Sequence, residues 1–337
     1  MLQKFLKLFK LGYPGFWQKK NNLIEKIIIL LLLPFTFIYY LASKFDKKLT
    51  KTNKVGIPVI SVGNINTGGS GKTPFVIYLV NLLKKEKINS HVVSRGYLGN
   101  LRGPVKVDLK KHSYKDVGDE ALLLAKETTT WVSKNKFEGA LMAVLHGADI
   151  IILDDGLQNY SLHQDLKIIV VDGEFGFGNE LPLPAGPLRE PISSGIKKSD
   201  ILILFNKDKN NIEKIIKNKI TIIHGTSKIK NFSNLKNKKL VGFSGIGRSD
   251  KFYSSLKEKK LNILKFYSYP DHYSYSKKKI NSLINYAKKN NAVLVSTLKD
   301  KQRINFDQRK KISFLDLEIE IKKEKSIIDF LKKKKFV

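Results

Sequence analysis

The residues best suited to chemistry lie in a glycine-rich segment at positions 62–74, Val-Gly-Asn-Ile-Asn-Thr-Gly-Gly-Ser-Gly-Lys-Thr-Pro. Its glycines let the backbone curl so that successive N–H groups point at one spot, which suits a phosphate group. Lys72 is placed to reach the β- and γ-phosphates of a nucleotide, and the Thr73 hydroxyl is placed to bind Mg²⁺. The residues predicted to hold the phosphates are Asn66, Thr67, Gly68, Gly69, Ser70, Gly71, Lys72 and Thr73.

One position departs from the usual spacing of such loops. The pattern G-x4-G-K-[ST] has glycine where this chain has Asn66. Asparagine tolerates the left-handed backbone better than most residues, so we expect the turn to form through that conformation. Pro74 suits the first turn of the helix that should follow, because an N–H there has no partner within the helix.

Phosphoryl transfer also needs a metal site and a base. Asp154 and Asp155 directly follow the apolar run at 150–153, which is typical of a Walker B strand. Carboxylates at the carboxyl end of a parallel strand lie where nucleotides bind, so both are predicted Mg²⁺ ligands. A simple turn that ends the strand is the alternative.

Two further residues are open to either a structural or a catalytic interpretation. Asp119 stands with Glu120 at the start of a predicted helix, where acidic residues stabilise the helix in any case. His272 is a single histidine in the segment Tyr269-Pro-Asp-His-Tyr, and such histidines are more often structural than catalytic. Spacing alone does not decide between these roles.

Two absences narrow the class of nucleotide-binding protein. The segment Asn206-Lys-Asp-Lys resembles the guanine-reading N-K-x-D motif, but Lys209 occupies the acidic position. Thr67 stands where MinD-like ATPases carry an additional lysine. A GTPase switch and a partitioning ATPase are therefore disfavoured.

Short apolar runs that alternate with helical stretches surround these residues and predict an α/β fold. We expect a P-loop NTPase-like, mostly parallel sheet covered on both faces, with a second, smaller α/β domain. Strands are predicted near 57–62, 91–94, 129–132, 150–153, 168–171, 201–205, 221–223, 240–243 and 293–296, and helices near 74–83, 119–126 and 137–145. The predicted divisions are 1–48, a membrane-associated helix region; 49–215, the P-loop core; and 216–337, the smaller domain. Return of the last segment of that domain to pack on the core is an alternative, and the lysine-rich tail from Lys322 is expected to be a solvated helix end.

The N-terminal region holds an apolar run without charge at 27–42, IIILLLLPFTFIYYLA, with lysines on both sides. A helix of that length spans about 24 Å, short of a ~30 Å hydrocarbon core. Pro34 should kink it, and Tyr39 and Tyr40 suit a membrane interface. An anchor embedded in or lying on the membrane is favoured over a single span or a buried core helix. A signal peptide is disfavoured, because no small-residue cleavage site follows Ala42.

The composition limits the kinds of fold, site and partner that this chain can have. The 337 residues are 42% apolar, which is enough to bury a core, and the absence of cysteine excludes disulfides and thiolate metal sites. The formal net charge of +32 favours anionic partners such as a membrane surface or phosphate-bearing substrates, although a general bias toward Lys, Ile and Asn contributes to it. The sequence has no basic run interleaved with aromatic residues, so it does not predict a nucleic-acid partner.

Several segments together resemble the tetraacyldisaccharide 4'-kinase family, the lipid A kinases of Gram-negative bacteria. They follow the family order over nearly the whole chain, behind an apolar N-terminal helix. Besides the phosphate loop, these segments are Ser94-Arg-Gly-Tyr, Val117-Gly-Asp-Glu, Leu153-Asp-Asp-Gly-Leu-Gln, Leu181-Pro-Leu-Pro-Ala-Gly-Pro-Leu-Arg-Glu, Tyr269-Pro-Asp-His-Tyr and Thr297-Leu-Lys-Asp.

The resemblance implies ATP- and Mg²⁺-dependent phosphorylation of the 4'-hydroxyl of tetraacyldisaccharide 1-phosphate, giving lipid IVA in lipid A biosynthesis. It implies that Asp119 is the general base, with His272 as its partner and Lys72 as a further catalytic residue. It adds Glu190 to the residues near Mg²⁺, and it gives Arg95 and Gln158 places in the site without a defined role.

The resemblance also implies a lipid substrate and attachment to the anionic cytoplasmic face of the bacterial inner membrane. We expect no nucleic-acid partner and a monomer. Two alternatives stay open: a P-loop enzyme that acts on a soluble metabolite, and a nucleotide switch recruited to the membrane. Transfer of phosphate to the lipid acceptor distinguishes both from the kinase.

Overall fold

The computed structural model describes residues 14–19, 21–216, 219–322 and 324–336. Twelve strands within these residues form one sheet, in the order β10-β9-β11-β12-β8-β7-β6-β1-β5-β2-β4-β3. Neighbouring strands are parallel except for the antiparallel pairs β12–β8 and β4–β3. The strands are β1 (Val59–Gly63), β2 (Ser90–Ser94), β3 (Val105–Lys106), β4 (Thr130–Val132), β5 (Ile150–Asp154), β6 (Leu166–Asp172), β7 (Ile201–Phe205), β8 (Thr221–Lys230), β9 (Lys239–Ser244), β10 (Asn262–Ser268), β11 (Ala292–Thr297) and β12 (Ser313–Ile321). The predicted α/β class with a mostly parallel sheet is confirmed.

Helices connect the strands and cover the sheet. Short 3-10 turns occur at Gly15–Trp17 and Ser233–Leu235. The α-helices of the described residues are α1 (Leu23–Leu49), α2 (Lys72–Lys85), α3 (Tyr114–Val117), α4 (Asp119–Leu124), α5 (Lys136–Leu145), α6 (Ile192–Lys197), α7 (Ile212–Ile216), α8 (Ser249–Glu258), α9 (Lys277–Lys289), α10 (Leu298–Gln302), α11 (Phe306–Arg309) and α12 (Glu324–Lys333).

The central strands are apolar along their whole length because helices pack on both faces of the sheet. In β5, Ile150 and Ile152 share a core with Leu79 of α2. Ile151, between them, points to the opposite face and packs with Ala143 of α5. This alternation places one helix layer on each side, as expected for buried parallel strands.

The later strands repeat this arrangement around β9. Val241 and Phe243 pack with Leu283 of α9, whereas Leu240 packs with Leu256 of α8. β8 pairs with β7 on one side and β12 on the other, so it carries the sheet from the first set of strands to the second. The predicted division of the chain near residue 215 falls within the last turn of α7, shortly before β8 begins, and it stays a prediction.

Helix α1 is longer than its apolar run predicts, because residues on both sides of the run continue the helix. It has 27 residues, about 40 Å at 1.5 Å per residue, with Pro34 inside it. It begins with a capping box in which Asn22 and Glu25 exchange hydrogen bonds. Only 6% of its 18-residue apolar window is buried, so the interpretation as a core helix is wrong.

Helix α12 is not the solvated helix end that we expected from the lysine-rich tail. Lys325, Asp329, Lys332 and Lys333 are exposed, whereas Ile327 and Leu331, four positions apart, are 1% exposed. Both belong to the core formed by Phe75 and Leu79 of α2. The amphipathic spacing thus brings the last helix onto the phosphate-loop half of the protein.

Candidate active site

The glycine-rich segment joins β1 to α2, as the sequence predicts. Gly68 and Gly71 have φ angles of 95° and 91°, a region that glycine adopts with little strain. Asn66 does not take the left-handed conformation, contrary to expectation. Its side-chain amide instead donates to the carbonyl of Gly176 at 2.8 Å, so a tertiary contact fixes the position where other loops have glycine.

The two polar residues at the start of α2 face acidic groups from other elements. Lys72 Nζ donates to Asn64 Oδ1 at 3.0 Å and lies 3.5 Å from Asp155 Oδ1. Thr73 Oγ1 donates to Glu120 Oε1 at 3.3 Å. The loop, the end of β5 and the start of α4 therefore meet at one place.

Asp154 ends β5 as a buried carboxylate that is only partly satisfied. Its Oδ2 accepts a hydrogen bond from the Ser94 hydroxyl at 3.2 Å. Its Oδ1 is buried and has no hydrogen-bond partner among the described residues. Burial, and next the negative charge of Glu120, raise the pKa of Asp154 to about 7. The charges of Lys136 and Lys72 oppose this rise. No cationic side chain among the described residues forms an ion pair with this carboxylate, and a bound cation would supply that partner.

Asp155 has the opposite environment, although it follows Asp154 directly. Arg189 Nη1 donates to both of its carboxylate oxygens, at 2.7 and 2.8 Å. Burial opposes ionisation, but Lys72 and Arg189 together hold the pKa of Asp155 well below its usual range. Asp155 is therefore an anion at neutral pH.

Asp119 and His272, 153 positions apart in the chain, are in direct contact. His272 Nδ1 lies 3.1 Å from Asp119 Oδ2. The carboxylate stands at the start of α4, and the imidazole comes from the loop after β10. Burial alone would raise the pKa of Asp119, but Lys299, His272 and Arg303 lower it to about 2. An ionised carboxylate bonded to an imidazole can accept a proton from a hydroxyl group.

Two basic residues near Asp119 have no predicted role in the sequence. Lys299 Nζ donates to Glu120 Oε1 at 3.1 Å and lies 3.4 Å from His272 Nε2. Arg303 Nε lies 3.1 Å from Asp119 Oδ2. The segment Thr297-Leu-Lys-Asp was one of the segments that resembled the family, but nothing in it showed which side chains it would meet.

Lys136 is a third basic residue that sequence reasoning missed. It is 3% exposed, and its Nζ donates to the carbonyls of Val93 at 2.8 Å and Asp154 at 2.9 Å. Burial lowers the pKa of Lys136 to about 8. It begins α5 outside any motif, so no sequence signal pointed to it.

Glu190 is placed differently from the other predicted metal ligands. It forms an ion pair with Lys198 at 2.8 Å and accepts hydrogen bonds from Gln158 at 2.9 Å and Ser194 at 3.3 Å. It therefore has a cationic partner of its own. Gln158 in turn accepts from Arg189 at 3.2 Å, which links Glu190 indirectly to Asp155.

The phosphate loop, Asp154, Asp155 and His272 line one cleft of about 1290 Å³. Arg95 and Gln158, whose roles the sequence left undefined, also line it. Further lining residues come from α1, from the loop after β2, from the segment before α6, and from the later strands and helices. Examples are Tyr39, Tyr97, Leu183, Arg248 and Lys299.

The residues at the loop fit a hard divalent cation such as Mg²⁺. Thr73, Asp154 and Asp155 offer oxygen atoms, and Asp154 has an unpaired buried oxygen. Within the described ranges there is no group of three or more His, Cys, Asp or Glu poised to hold a metal. This agrees with Mg²⁺, which is bound by one or two carboxylates together with nucleotide phosphates and water.

The segment at 206–209, which resembles the guanine-reading motif, forms hydrogen bonds within the protein. Asp208 accepts hydrogen bonds from the backbone N–H groups of Ile212 and Glu213, at the start of α7. Asn206 Oδ1 accepts from the backbone and hydroxyl of Ser227, each at 3.1 Å. These side chains already have hydrogen-bond partners within the protein.

A glycine-rich loop between a parallel strand and a helix, with two acidic residues ending the neighbouring strand, defines a P-loop nucleotide-binding protein. His272 lines the same cleft, and together with its carboxylate partner Asp119 it adds the groups of a phosphotransferase. A family model described as "Tetraacyldisaccharide-1-P 4'-kinase" matches residues 28–335. The chain belongs to this family.

Individual relatives agree with the family model. The tetraacyldisaccharide 4'-kinase of Paramagnetospirillum magneticum is 38% identical over 314 residues, covering 91% of this chain and 94% of the relative. That of Rickettsia peacockii is 36% identical over 314 residues, covering 93% and 96%. A crystal structure of LpxK from Aquifex aeolicus in complex with ATP has a TM-score of 0.75 and 29% identity, covering 91% of this chain and 99% of that one.

Proposed function

We propose that this protein transfers the γ-phosphoryl group of ATP to the 4'-hydroxyl of tetraacyldisaccharide 1-phosphate, giving lipid IVA in lipid A biosynthesis. The observation that carries the proposal is the contact of Asp119 with His272, whose imidazole lines the same cleft as the phosphate loop. That contact supplies a base beside a nucleotide site, which a nucleotide switch does not need. Family membership indicates the acceptor.

Residues 66–73 are proposed to hold the triphosphate of ATP, with Lys72 at the β- and γ-phosphates. Thr73, Asp154 and Asp155 are proposed to hold Mg²⁺, directly or through water. When bound, Mg²⁺ would neutralise charge on the phosphate oxygens. The unpaired oxygen of Asp154 and its raised pKa support this assignment.

The proposed chemical step is an in-line displacement at the γ-phosphorus. The acceptor hydroxyl oxygen forms a bond to phosphorus while the bond from phosphorus to the β,γ-bridging oxygen breaks, and ADP leaves. The hydroxyl proton passes to Asp119, which the nearby cations keep ionised. His272 orients the carboxylate through its Nδ1 contact.

Glu190 is the predicted ligand with the least support. Its charge is balanced by Lys198 at 2.8 Å. We therefore propose that Glu190 orients Gln158, and through it Arg189, instead of binding Mg²⁺ itself. The ranges 49–215 and 216–337 are proposed as two lobes, because the first supplies the phosphate loop and Asp119 and the second supplies His272.

The lipid acceptor and helix α1 together support a membrane location. Large apolar side chains of α1 are exposed, among them Leu30 and Leu31 at 66% each. Lysines at both ends of the helix favour an anionic surface. We propose that the protein works at the cytoplasmic face of the bacterial inner membrane, where ATP is available. Tyr39 of α1 also lines the cleft, so an acceptor held at α1 lies beside the nucleotide site.

The test is transfer of labelled phosphate from ATP to tetraacyldisaccharide 1-phosphate by purified protein with Mg²⁺ and detergent. We expect acceptor-dependent product, with little formed by Lys72→Ala under the same conditions. An equal rate on a soluble sugar phosphate would support the soluble-metabolite alternative. ATP binding without transfer to any acceptor would support the nucleotide switch.

A further inference from the structure

Arg303 is a buried cation between two carboxylates, one of which is the proposed base. Its side chain is 1% exposed, and the residue follows α10 in the second lobe. Nη2 donates to Asp300 Oδ1 at 2.8 Å, Nη1 donates to the carbonyl of Tyr273 at 3.1 Å, and Nε lies 3.1 Å from Asp119 Oδ2. The Nε contact is an ion pair and not an aligned hydrogen bond. A charge this deeply buried needs compensation, which both carboxylates provide.

Asp300 fixes Arg303 in place because it is itself rigidly held. It is fully buried and accepts hydrogen bonds from Gly245 N at 3.0 Å, Tyr275 Oη at 2.8 Å and Thr297 Oγ1 at 2.7 Å. A guanidinium bonded to such an anchor has little freedom to move. Arg303 therefore presents its Nε at a fixed position to the first lobe.

The two oxygens of Asp119 have different surroundings. Oδ2 meets both His272 Nδ1 and Arg303 Nε, each at 3.1 Å. Oδ1 is buried and has no hydrogen-bond partner among the described residues. An unpaired, buried carboxylate oxygen is costly unless a ligand supplies a donor.

We propose that Arg303 is a positioning residue that holds Asp119 by Oδ2 and so leaves Oδ1 as the atom that accepts the proton of the acceptor hydroxyl. This inference rests on the proposed kinase function. As the hydroxyl oxygen bonds to the γ-phosphorus, its proton moves to Oδ1 and the electron pair of the broken P–O bond leaves with ADP. Arg303 touches neither reactant and acts only through Asp119.

Several other charged groups face Asp119, and each bears on a pH test. Lys299 comes from α10, His272 from the loop after β10, and Glu120 is the next residue in α4. Asp271 lies 3.9 Å from Lys299 and 3.7 Å from the His272 ring. These groups are unchanged in a variant at position 303, so a ratio of rates between variant and wild type cancels their shared titrations.

The experiment compares kcat for lipid phosphorylation by wild type, Arg303→Gln, Arg303→Lys and Asp300→Asn from pH 4 to pH 8. For Arg303→Gln we expect kcat to fall about 10²-fold at pH 7, where Asp119 is ionised in any case and only its placement has changed. The ratio to wild type should fall further below about pH 5, because loss of a cation raises the pKa of the carboxylate. The Kd for MgATP should not change.

Asp300→Asn is the matched control, because Asp300 contacts Arg303 but not Asp119. Loss of the Asp300 carboxylate disturbs the same buried cluster but leaves the Arg303 cation. The ratio of kcat in Asp300→Asn to kcat in the wild type should therefore not change with pH. Arg303→Lys keeps the charge but cannot bridge two carboxylates, so we expect a smaller loss of kcat that is also flat with pH.

Several outcomes would overturn the inference. One is that Arg303→Gln has the same dependence of kcat on pH as the wild type. Another is that the ratio of kcat to wild type falls below about pH 5 in Asp300→Asn as well. If Arg303→Gln does not fold, Arg303→Lys provides the test. A wild-type kcat in that variant overturns the inference, and a loss of kcat that does not change with pH supports it. Absence of transfer by the wild type contradicts the proposed function itself, whereas the other outcomes contradict only the role of Arg303.

Discussion

At the scale of single residues, two buried carboxylates of this site have opposite electrostatic environments. Burial raises the pKa of Asp154 to about 7, whereas cations around Asp119 overcome the effect of burial and lower its pKa to about 2. A carboxylate that stays ionised can accept a proton, and one without an ion pair to any described side chain suits a metal ion. The environments thus assign metal binding to Asp154 and proton acceptance to Asp119, in the way that different environments give two carboxylates different roles in other enzymes.

Replacing Asp119 by Asn keeps the size of the side chain and removes its ability to take a proton. We expect kcat for lipid phosphorylation to fall about 10²- to 10⁴-fold, with the Kd for MgATP unchanged. Asp271→Asn is the control, because Asp271 lies near Lys299 and His272 without contacting Asp119. Near-normal kcat in Asp119→Asn, measured with saturating acceptor, would remove this residue from the base role.

At the scale of elements, the buried parallel strands were predictable because their apolar runs are continuous. β5 and β7 lie within one residue of their predicted bounds. β12 was missed although its sequence, Ser-Phe-Leu-Asp-Leu-Glu-Ile-Glu-Ile, alternates with period two, so that signal was available. β10 was missed for a physical reason: it pairs only with β9 at the sheet edge and is largely exposed, so its apolar pattern is weak.

The site was predictable only where one motif contains the neighbours. Lys72 and Asp155 were identified from local patterns and lie 3.5 Å apart. Arg189 and Arg303 were not assigned roles, because the site carboxylates that they contact, Asp155 and Asp119, are distant from them in sequence and only the folded sheet brings them together. The contact of Asp119 with a histidine likewise depended on the family resemblance.

Helix α12 offers a test of packing at this scale. Leu331 is 1% exposed in the core shared with α2, so we expect Leu331→Ala to lower the free energy of unfolding by about 2–4 kcal/mol. Lys332 is the exposed neighbour, and Lys332→Ala should change it by less than about 0.5 kcal/mol. Urea unfolding measures both. Equal, small effects would mean that the last helix does not pack on the core.

At the scale of the whole molecule, α1 and the nucleotide site are joined by one loop. Thr36 Oγ1 accepts a hydrogen bond from Ala185 N at 3.1 Å, and Tyr39 Oη donates to the carbonyl of Arg189 at 3.1 Å. The loop that carries Ala185 and Arg189 also meets the phosphate loop, because Thr67 N donates to the Pro187 carbonyl at 2.8 Å. A helix with exposed apolar side chains is thus connected to Arg189, which donates hydrogen bonds to Asp155.

The proposed membrane role of α1 predicts the effect of charge on its exposed face. Leu30→Lys combined with Leu31→Lys should reduce binding to vesicles with anionic lipid at least about tenfold, since a lysine within the apolar region costs up to ~3 kcal/mol. Sedimentation with vesicles measures this. The control is Lys26→Arg, which keeps the charge before the apolar run. Unchanged binding by the double variant would show that α1 is not the membrane contact.

The connection between α1 and the nucleotide site predicts a different result for Thr36→Val. Valine keeps the shape of the side chain but leaves the buried Ala185 N–H without its acceptor, at a cost of about 1–3 kcal/mol. The loop that holds Arg189 should then lose its fixed position, so we expect kcat to fall several-fold while vesicle binding stays at the wild-type level. Measuring kcat with acceptor in detergent micelles separates this effect from membrane attachment. Wild-type kcat in Thr36→Val would mean that α1 only attaches the protein to the membrane, whereas joint loss of kcat and vesicle binding would mean that the substitution disturbs α1 as a whole.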